Sequence, residues 1–279
     1  MSDCKSVSEP ILLADRGVLR VSGPHCETFL QDLVSNDVTN LAPGEARYAA
    51  LLTPQGKILF DMSIVAIEED GARAFLIDCA RDQVSELAKR LGFYKLRAKV
   101  TIEDISNETA VRAYLDARPQ IDAIVVRDPR SEGLGYRAYV PREQAPVAEP
   151  DTSAYEARRI EAGVPKGGSD FAYGDAFPHE ANFDLINGID FKKGCYIGQE
   201  VVSRMQHRGT TRKRIVKVAY SGEVPVPGME IKAGDMLVGT MGSSAGRRGL
   251  AMLRLDRADE AKAAGMPLVA NGITLEIES

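Results

Sequence analysis

The sequence predicts an α+β fold, in which an antiparallel α/β body is followed by a small C-terminal β-barrel. Three observations indicate this: strand-like runs joined by Gly and Pro turns, amphipathic helices between some of them, and a change from about residue 212 to short strands and turns. Strands joined by hairpins pair antiparallel, which argues against a doubly wound parallel sheet. We expect domains 1–210 and 211–279 within the 279 residues, the first comprising α+β subdomains of about 1–105 and 106–210.

The first subdomain is predicted from alternating strand and helix patterns. A helix should follow the Ser-Gly-Pro at 22–24, because Pro is tolerated in a first helical turn. Residues 53–57 (TPQGK) and 69–71 (EDG) carry the Pro and Gly typical of hairpin turns. A second helix is expected over residues 81–91, where apolar positions fall on one face. The predicted strands are 11–13, 18–21, 48–52, 58–65, 74–77 and 99–102.

The remaining elements follow the same rules. A helix is expected over residues 151–162, capped by Asp151 or Thr152 and ended by Gly163. Short apolar runs separated by Gly and Pro indicate the barrel strands. The predicted strands of the second subdomain are 111–115, 121–126 and 136–140, and those of the barrel are 215–220, 236–241, 249–254 and 273–277.

Composition excludes several classes of protein. Hydrophobic residues make up 44% and charged residues 27%, which excludes a mostly disordered chain. No apolar run approaches the roughly 20 residues of a membrane span. The net charge is −5, so the surface as a whole does not attract nucleic acid. We therefore expect a soluble cytoplasmic protein, a monomer, with neither nucleic acid nor membrane among its partners; the N-terminus carries no signal-peptide pattern.

The four cysteines, at positions 4, 26, 79 and 195, form no C-x-x-C pair. The three histidines do not complete a zinc pattern, so no metal site is predicted. Cys26 and Cys79 lie in apolar stretches and are expected to be small buried residues.

Cys195 differs from the other cysteines, because it stands between Gly194 and Gly198 in the segment 191–200 (FKKGCYIGQE). The spacing of apolar residues downstream predicts a helix that starts near Gly198. A helix N-terminus and the two preceding lysines would both favour the thiolate. Such a thiolate can be a nucleophile, a redox thiol or a metal ligand. From the chemistry alone these three roles stay open, and so does the alternative that Cys195 is a residue of a turn held for packing.

Two further segments combine charge with unusual placement. Residues 204–214 (RMQHRGTTRKR) hold five Lys or Arg residues and one His, and form either an anion site or a solvated linker. Nucleic acid is disfavoured there because no aromatic residues are interleaved to stack on bases. Glu161 falls in the last turn of its predicted helix, where a carboxylate opposes the helix dipole. It is either a ligand contact or an ordinary solvated side chain.

Residues 193–200 (KGCYIGQE) closely resemble the K-G-C-[YF]-x-G-Q-E motif of the YgfZ-type folate-binding proteins, which act in iron–sulfur cluster assembly or repair. Further blocks similar to that family are 16–23, 29–37, 52–61 and 155–165, so the resemblance covers most of the chain. The wider superfamily includes the T-protein aminomethyltransferase of glycine cleavage and folate-dependent demethylases.

The resemblance implies a T-protein-like body around a central pocket for tetrahydrofolate or a one-carbon derivative, with the barrel attached. Glu161, in the stretch 159–163 (RIEAG), would contact the pterin, and Cys195 would be the catalytic thiol. The other expected cofactor-binding residues are Asn182, Asp184, Lys192, Lys193 and Arg204. The motif residues are Lys193, Gly194, Cys195, Tyr196, Gly198, Gln199 and Glu200.

The function implied is that of a tetrahydrofolate-binding accessory protein for assembly or repair of [4Fe–4S] clusters, whose partners are iron–sulfur client or assembly proteins. One thiolate cannot hold such a cluster alone, because a [4Fe–4S] centre usually takes four cysteines. The alternatives are a folate-dependent aminomethyl- or methyltransferase and a non-catalytic interaction scaffold. T-proteins lack the cysteine motif, and their one-carbon aspartate has no secure match in this chain, which disfavours the transferase.

Overall fold

The computed structural model describes residues 9–145, 151–209 and 211–278. They form a four-stranded sheet, a five-stranded sheet and a closed barrel, with antiparallel pairing between neighbouring strands. The predicted α+β body with a C-terminal barrel is therefore confirmed. Within these ranges, no helix has the length and apolar character needed to cross a membrane.

The four-stranded sheet and its flanking helix come from residues 109–161, joined by the first strand of the chain. Its strands lie in the order β1-β7-β9-β8. Helix α3 (Ser153–Glu161) packs beside it and ends at Gly163, which has φ +66°, as expected for a glycine that ends a helix. The strands are β1 (Ile11–Leu12), β7 (Thr109–Tyr114), β8 (Ile124–Arg127) and β9 (Tyr136–Pro141).

The five-stranded sheet is buried on both faces. Its order is β3-β4-β5-β2-β6. Successive residues of the central strand alternate: Phe75, Ile77 and Cys79 pack under two helices, whereas Ala74 and Leu76 join the core shared with the smaller sheet. This two-sided burial explains the nearly continuous apolar runs of the sequence. The elements are β2 (Arg16–Ser22), β3 (Ala46–Leu52), β4 (Ile58–Glu69), β5 (Ala72–Ala80), β6 (Thr101–Asp104), α1 (Cys26–Gln31) and α2 (Val84–Lys95).

A buried ion network joins the two sheets. The guanidinium of Arg137, only 2% exposed, donates to the carboxylates of Asp78 and Asp128, the latter at 2.8 Å. Arg16 donates to Asp78 at 2.6 Å, and Arg130 donates to Asp128 at 2.7 Å. Burial alone would raise the pKa of both carboxyl groups, but the neighbouring guanidinium groups hold each pKa below its usual range. The network therefore fixes one sheet on the other.

The C-terminal barrel closes through six strands in the order β10-β13-β12-β11-β14-β15. Two of these strands and one helix were not predicted. The missed strands, of four and three residues, are too short to show a periodic pattern. The elements are β10 (Lys213–Tyr220), β11 (Glu230–Ala233), β12 (Met236–Ala245), β13 (Arg248–Arg254), α5 (Leu255–Ala263), β14 (Leu268–Ala270) and β15 (Ile273–Ile277).

Candidate functional site: an exposed thiol beside a cleft

The segment 191–198 carries Cys195 from the body into helix α4 (Gln199–Arg208). Cys195 is exposed, whereas Cys26 and Cys79 are buried, as expected. Burial raises the pKa of Cys26 and raises that of Cys79 to about 12, so both thiols stay protonated at neutral pH. Cys4 lies outside the described residues. Cys195 is therefore the accessible thiol among the described cysteines.

Gly198 sets the start of α4, which confirms the predicted helix start. It is the N-cap residue and has φ +80°, a left-handed conformation that glycine adopts without strain. A Cβ built on it would lie 2.6 Å from the carbonyl oxygen of Thr53, in the hairpin between β3 and β4. The glycine is thus needed both for its backbone conformation and for the close approach of the hairpin.

Lys193 anchors the segment on the N-terminal side of Cys195. Its Nζ donates to the carbonyl oxygens of Gln31 at 2.7 Å, Val34 at 2.5 Å and Asn36 at 2.9 Å. These carbonyls lie at and just beyond the end of α1, where unpaired carbonyl groups and the helix dipole favour a cation. Burial lowers the pKa of Lys193 to about 8. Its ammonium is therefore engaged in structure and is not free for a folate ligand.

Tyr196 anchors the segment on the other side. It is 8% exposed, and burial raises the pKa of its phenol to about 12. The Nζ of Lys193 lies 5.2 Å from the centre of its ring, in a cation–π contact. Between these anchors, Gly194 and Cys195 are exposed, and a Cβ on Gly194 would meet no atom within 4 Å. The thiol is thus presented at the tip of a short loop held at both ends.

The chain just before this loop is tied to the same part of the body. Ser35 Oγ donates to the carbonyl of Gly188 at 2.6 Å, and Asn36 Nδ2 donates to that of Asn187 at 2.6 Å. The backbone amides of Lys192 and Lys193 donate to Asp190 Oδ1 at 2.7 and 3.2 Å. These bonds fix residues 187–193 against the turn after α1.

A cleft of about 930 Å³ opens beside these residues. This size is within the usual range for a small-molecule site. It lies between the two sheets and includes the start of the Cys195 loop. Its lining residues are Asn36, Gly44, Glu45, Ala46, Arg47, Arg118, Arg127, Asp128, Pro129, Ser131, Glu132, Tyr136, Asn187, Ile189, Asp190, Phe191 and Lys192.

The lining of the cleft carries both signs of charge: the cations Arg47, Arg118, Arg127 and Lys192, and the carboxylates of Glu45, Asp128, Glu132 and Asp190. Asp128 lines it, but both of its oxygens accept hydrogen bonds from buried arginines. Arg127 pairs with Glu132 at 2.9 Å. Among the described residues, Arg47, Arg118 and Lys192 have no carboxylate within 4.0 Å. These three side chains are therefore available to pair with an anionic group of a ligand.

Of the expected cofactor-binding residues, Lys192 is the one that lines this cleft. Asn182 and Asp184 lie toward the barrel: Arg214 donates to Asp184 at 3.0 and 2.9 Å, and Asn182 Nδ2 donates to the carbonyl of Ile215 at 2.9 Å. These bonds secure the start of β10. Asn182 and Asp184 therefore form hydrogen bonds to residues of the barrel.

Arg204 lies on α4, where it pairs with the motif residue Glu200 at 2.6 Å across one helical turn. Glu200 is exposed, and its neighbour Gln199 is half-buried. With the pair between Arg214 and Asp184, part of the basic segment 204–214 is thus engaged within the protein rather than open to an anion.

Glu161 is the last residue of α3, as expected, and is exposed. Its carboxylate lies 3.4 Å from Arg248 of the barrel, beside a recess of about 480 Å³ that the cleft does not share. Arg248 also pairs with Glu278 at 2.9 Å. The structure therefore separates Glu161 from Lys192, and its contact with a pterin stays a prediction.

Sequence reasoning missed Arg47, Arg118 and Arg127 as cleft residues. They come from β3, from the loop before β8 and from β8, and no local motif surrounds them. In the described part of the chain, no group of three or more His, Cys, Asp or Glu side chains converges to hold a metal ion.

Two family models match this chain. Residues 3–114 match the GCVT N-terminal domain, and residues 212–279 match the C-terminal β-barrel domain of CAF17. The crystal structure of glycine cleavage system aminomethyltransferase T from Bartonella henselae has a TM-score of 0.76 and 15% identity, over 97% of this chain and 84% of that one. This likeness shows the fold and confirms the predicted T-protein-like architecture.

Two curated relatives extend over most of the chain. The iron–sulfur cluster assembly factor IBA57 of Mus musculus is 33% identical over 277 residues, which covers 87% of this chain and 76% of the relative. The Homo sapiens protein of the same name is 33% identical over 271 residues, with 86% and 76% covered. Both are named as mitochondrial proteins, which overturns the cytoplasmic expectation. At this identity and coverage, the chain belongs to the IBA57 family of iron–sulfur cluster assembly factors.

Proposed function

We propose that the chain assists the assembly or repair of [4Fe–4S] clusters, and that Cys195 lends a thiolate ligand to a cluster shared with an assembly or client protein. The observation that carries this is the exposed Cys195, on a loop anchored by Lys193 and Tyr196. A thiol at a convex tip can reach a cluster on another protein. The remaining ligands would come from that partner, because one cysteine cannot hold a cluster.

We further propose that the cleft binds tetrahydrofolate or a one-carbon derivative. Folates carry carboxylates on their glutamyl tail, and Arg47, Arg118 and Lys192 are cations that face the cleft with no carboxylate partner among the described residues. The volume of about 930 Å³ suits a ligand of that size. These three side chains would hold the tail, and the bound folate would supply a one-carbon carrier.

The cleft and the thiol are linked through the chain. Lys192 lines the cleft and precedes Cys195 by three residues, so their Cα atoms lie within about 11 Å of each other. Occupancy of the cleft can therefore influence the loop that presents the thiol. A transferase role has weaker support, because the carboxylate of Asp128, which faces the cleft, is engaged by Arg130 and Arg137.

The first experiment tests Cys195. Cells lacking the chain are complemented with wild type, Cys195→Ser or Cys79→Ser, and the specific activity of a [4Fe–4S] enzyme is measured under oxidative stress. We expect Cys195→Ser to fail at normal protein level, and Cys79→Ser to retain function in proportion to the folded protein that remains. Full complementation by Cys195→Ser would favour the scaffold alternative.

The second experiment tests the cleft by calorimetric titration with tetrahydrofolate under anaerobic conditions. We expect Lys192→Ala and Arg118→Ala each to weaken binding by about 1.5–3 kcal/mol, the usual contribution of a hydrogen bond to a charged group. Glu161→Ala distinguishes between two binding sites. If Glu161→Ala weakens binding and the two cleft variants do not, the folate binds at the junction with the barrel and not in the cleft. Undetectable binding by the wild-type chain would remove folate from the function.

A further inference from the structure

Lys192 and Lys193 are adjacent in sequence but differ in their environment. Lys192 is exposed at the cleft, whereas Lys193 is 8% exposed and its three N–H donors are matched by three backbone carbonyls. Within the described residues, no carboxylate lies within 4.0 Å of the Lys193 ammonium. It is therefore a buried cation held by three carbonyl dipoles and the ring of Tyr196, with no ion pair among the described residues.

Burial of this ammonium lowers the free energy of unfolding. Burial of the ammonium outweighs the attraction of Asp37, Asp190 and Asp32, and lowers the pKa of Lys193 to about 8. An apolar side chain of similar length often stabilises a site of this kind as well as a buried charge does. Stability by itself therefore does not account for a lysine here, which points to its effect on the geometry of the loop.

The three carbonyls define that geometry. They belong to residues that precede Lys193 by 162, 159 and 157 positions, at and after the end of α1. The contact therefore fixes the chain two residues before Cys195 to a distant part of the body. On the C-terminal side of Cys195, the buried ring of Tyr196 is the second anchor of the loop. Without the lysine, the N-terminal side of Gly194 and Cys195 would be held only by the bonds of residues 187–190 and by the turn at Asp190.

We propose that Lys193 is the positioning residue for Cys195: its ammonium fixes the loop to the end of α1, so that the thiol is presented in one orientation. The proposal rests on the proposed role of Cys195. It also predicts that arginine cannot substitute, because a planar guanidinium with five donors does not fit a cradle of three carbonyls sized for an ammonium.

The test compares Lys193→Met and Lys193→Arg with Lys89→Met, which removes the same charge from an exposed position on α2. Amide hydrogen exchange of residues 192–198 is measured at neutral pH. We expect exchange at least about tenfold faster in both Lys193 variants, unchanged exchange in the barrel, and wild-type behaviour in Lys89→Met. If Lys193→Met does not fold, Lys193→Gln takes its place. Wild-type exchange in this segment would overturn the proposal.

The same variants are then scored for maturation of a [4Fe–4S] enzyme at matched protein level. We expect both Lys193 variants to fall to the level of Cys195→Ser, and Lys89→Met to match wild type. Fast exchange with full maturation, or rescue by arginine, would overturn the positioning role. If Cys195→Ser itself matures the enzyme fully, the proposed function fails, and hydrogen exchange still decides whether Lys193 fixes the loop.

Discussion

Cys79 and Cys195 occupy environments that differ in almost every respect. Cys79 lies in a central strand next to Asp78, whose carboxylate joins the buried ion network, and its thiol is held protonated by burial. Cys195 lies in an irregular loop with its side chain in solvent. The strand is fixed by side-chain charges that compensate one another. The loop is fixed by the Lys193 ammonium on backbone carbonyls and by the buried ring of Tyr196. The comparison shows that, among the described residues, hydrogen bonds and a cation–π contact hold this exposed loop.

The largest expected difference is in thiol reactivity. We expect iodoacetamide to alkylate Cys195 at least about a hundredfold faster than Cys79 at neutral pH, because Cys79 reacts only when its strand opens. Peptide mass spectrometry after timed quenching measures both rates in one sample. Comparable rates would mean that the sheet opens easily, or that the loop shields Cys195.

The next effect concerns stability. Asp78→Asn should cost about 3–5 kcal/mol, because it removes the carboxylate partner of Arg16 and one of the two carboxylates that pair with the buried Arg137. Cys195→Ser should cost about 1 kcal/mol or less, a shift of a few degrees in Tm. Urea unfolding followed by far-UV circular dichroism measures both. A loss for Cys195→Ser as large as that for Asp78→Asn would identify Cys195 as a packing residue.

The smallest effect is a pH dependence of Lys193. Its pKa falls from the ordinary 10.5 to about 8 on folding, so the unfolded chain binds more protons between these values and stability from this group rises with pH. Lys193→Met has no such dependence. Between pH 7.5 and 9.5, the free energy of unfolding of wild type should therefore increase relative to that of Lys193→Met, when both are measured by urea titration. A constant or opposite difference would contradict the burial of this ammonium.

Sequence patterns predicted what depends on local order. The turn chemistry of residues 53–57 and the spacing after Gly198 gave the hairpin and the start of α4, and the motif around Cys195 identified the exposed thiol. Strands β11 and β14 were not predicted, because segments of four and three residues are too short to show an alternation of apolar and polar residues.

Contacts between residues far apart in the chain could not be predicted from the sequence. Nothing near Lys193 indicates that its ammonium will meet carbonyls more than 150 residues earlier, so it was expected to bind the cofactor with Lys192. Arg137 lies in the predicted strand 136–140, and nothing in the local sequence indicates that the carboxylates of Asp78 and Asp128 converge on it. The charged residues of the interior and the cleft are placed by tertiary contacts alone.

The closure of the C-terminal barrel limits how a partner can dock. Every strand of the barrel is paired on both sides, so it offers no edge onto which a foreign strand could be added. Among the described residues, the edge strands of open sheets belong to the body: β3, which is partly covered by a bridge from Val34, and β6 in one sheet, and β1 and β8 in the other. Strand β8 ends at Arg127, which lines the cleft. A partner that recognises the chain through backbone pairing must therefore engage the body, while the barrel can be recognised only through its side chains and loops.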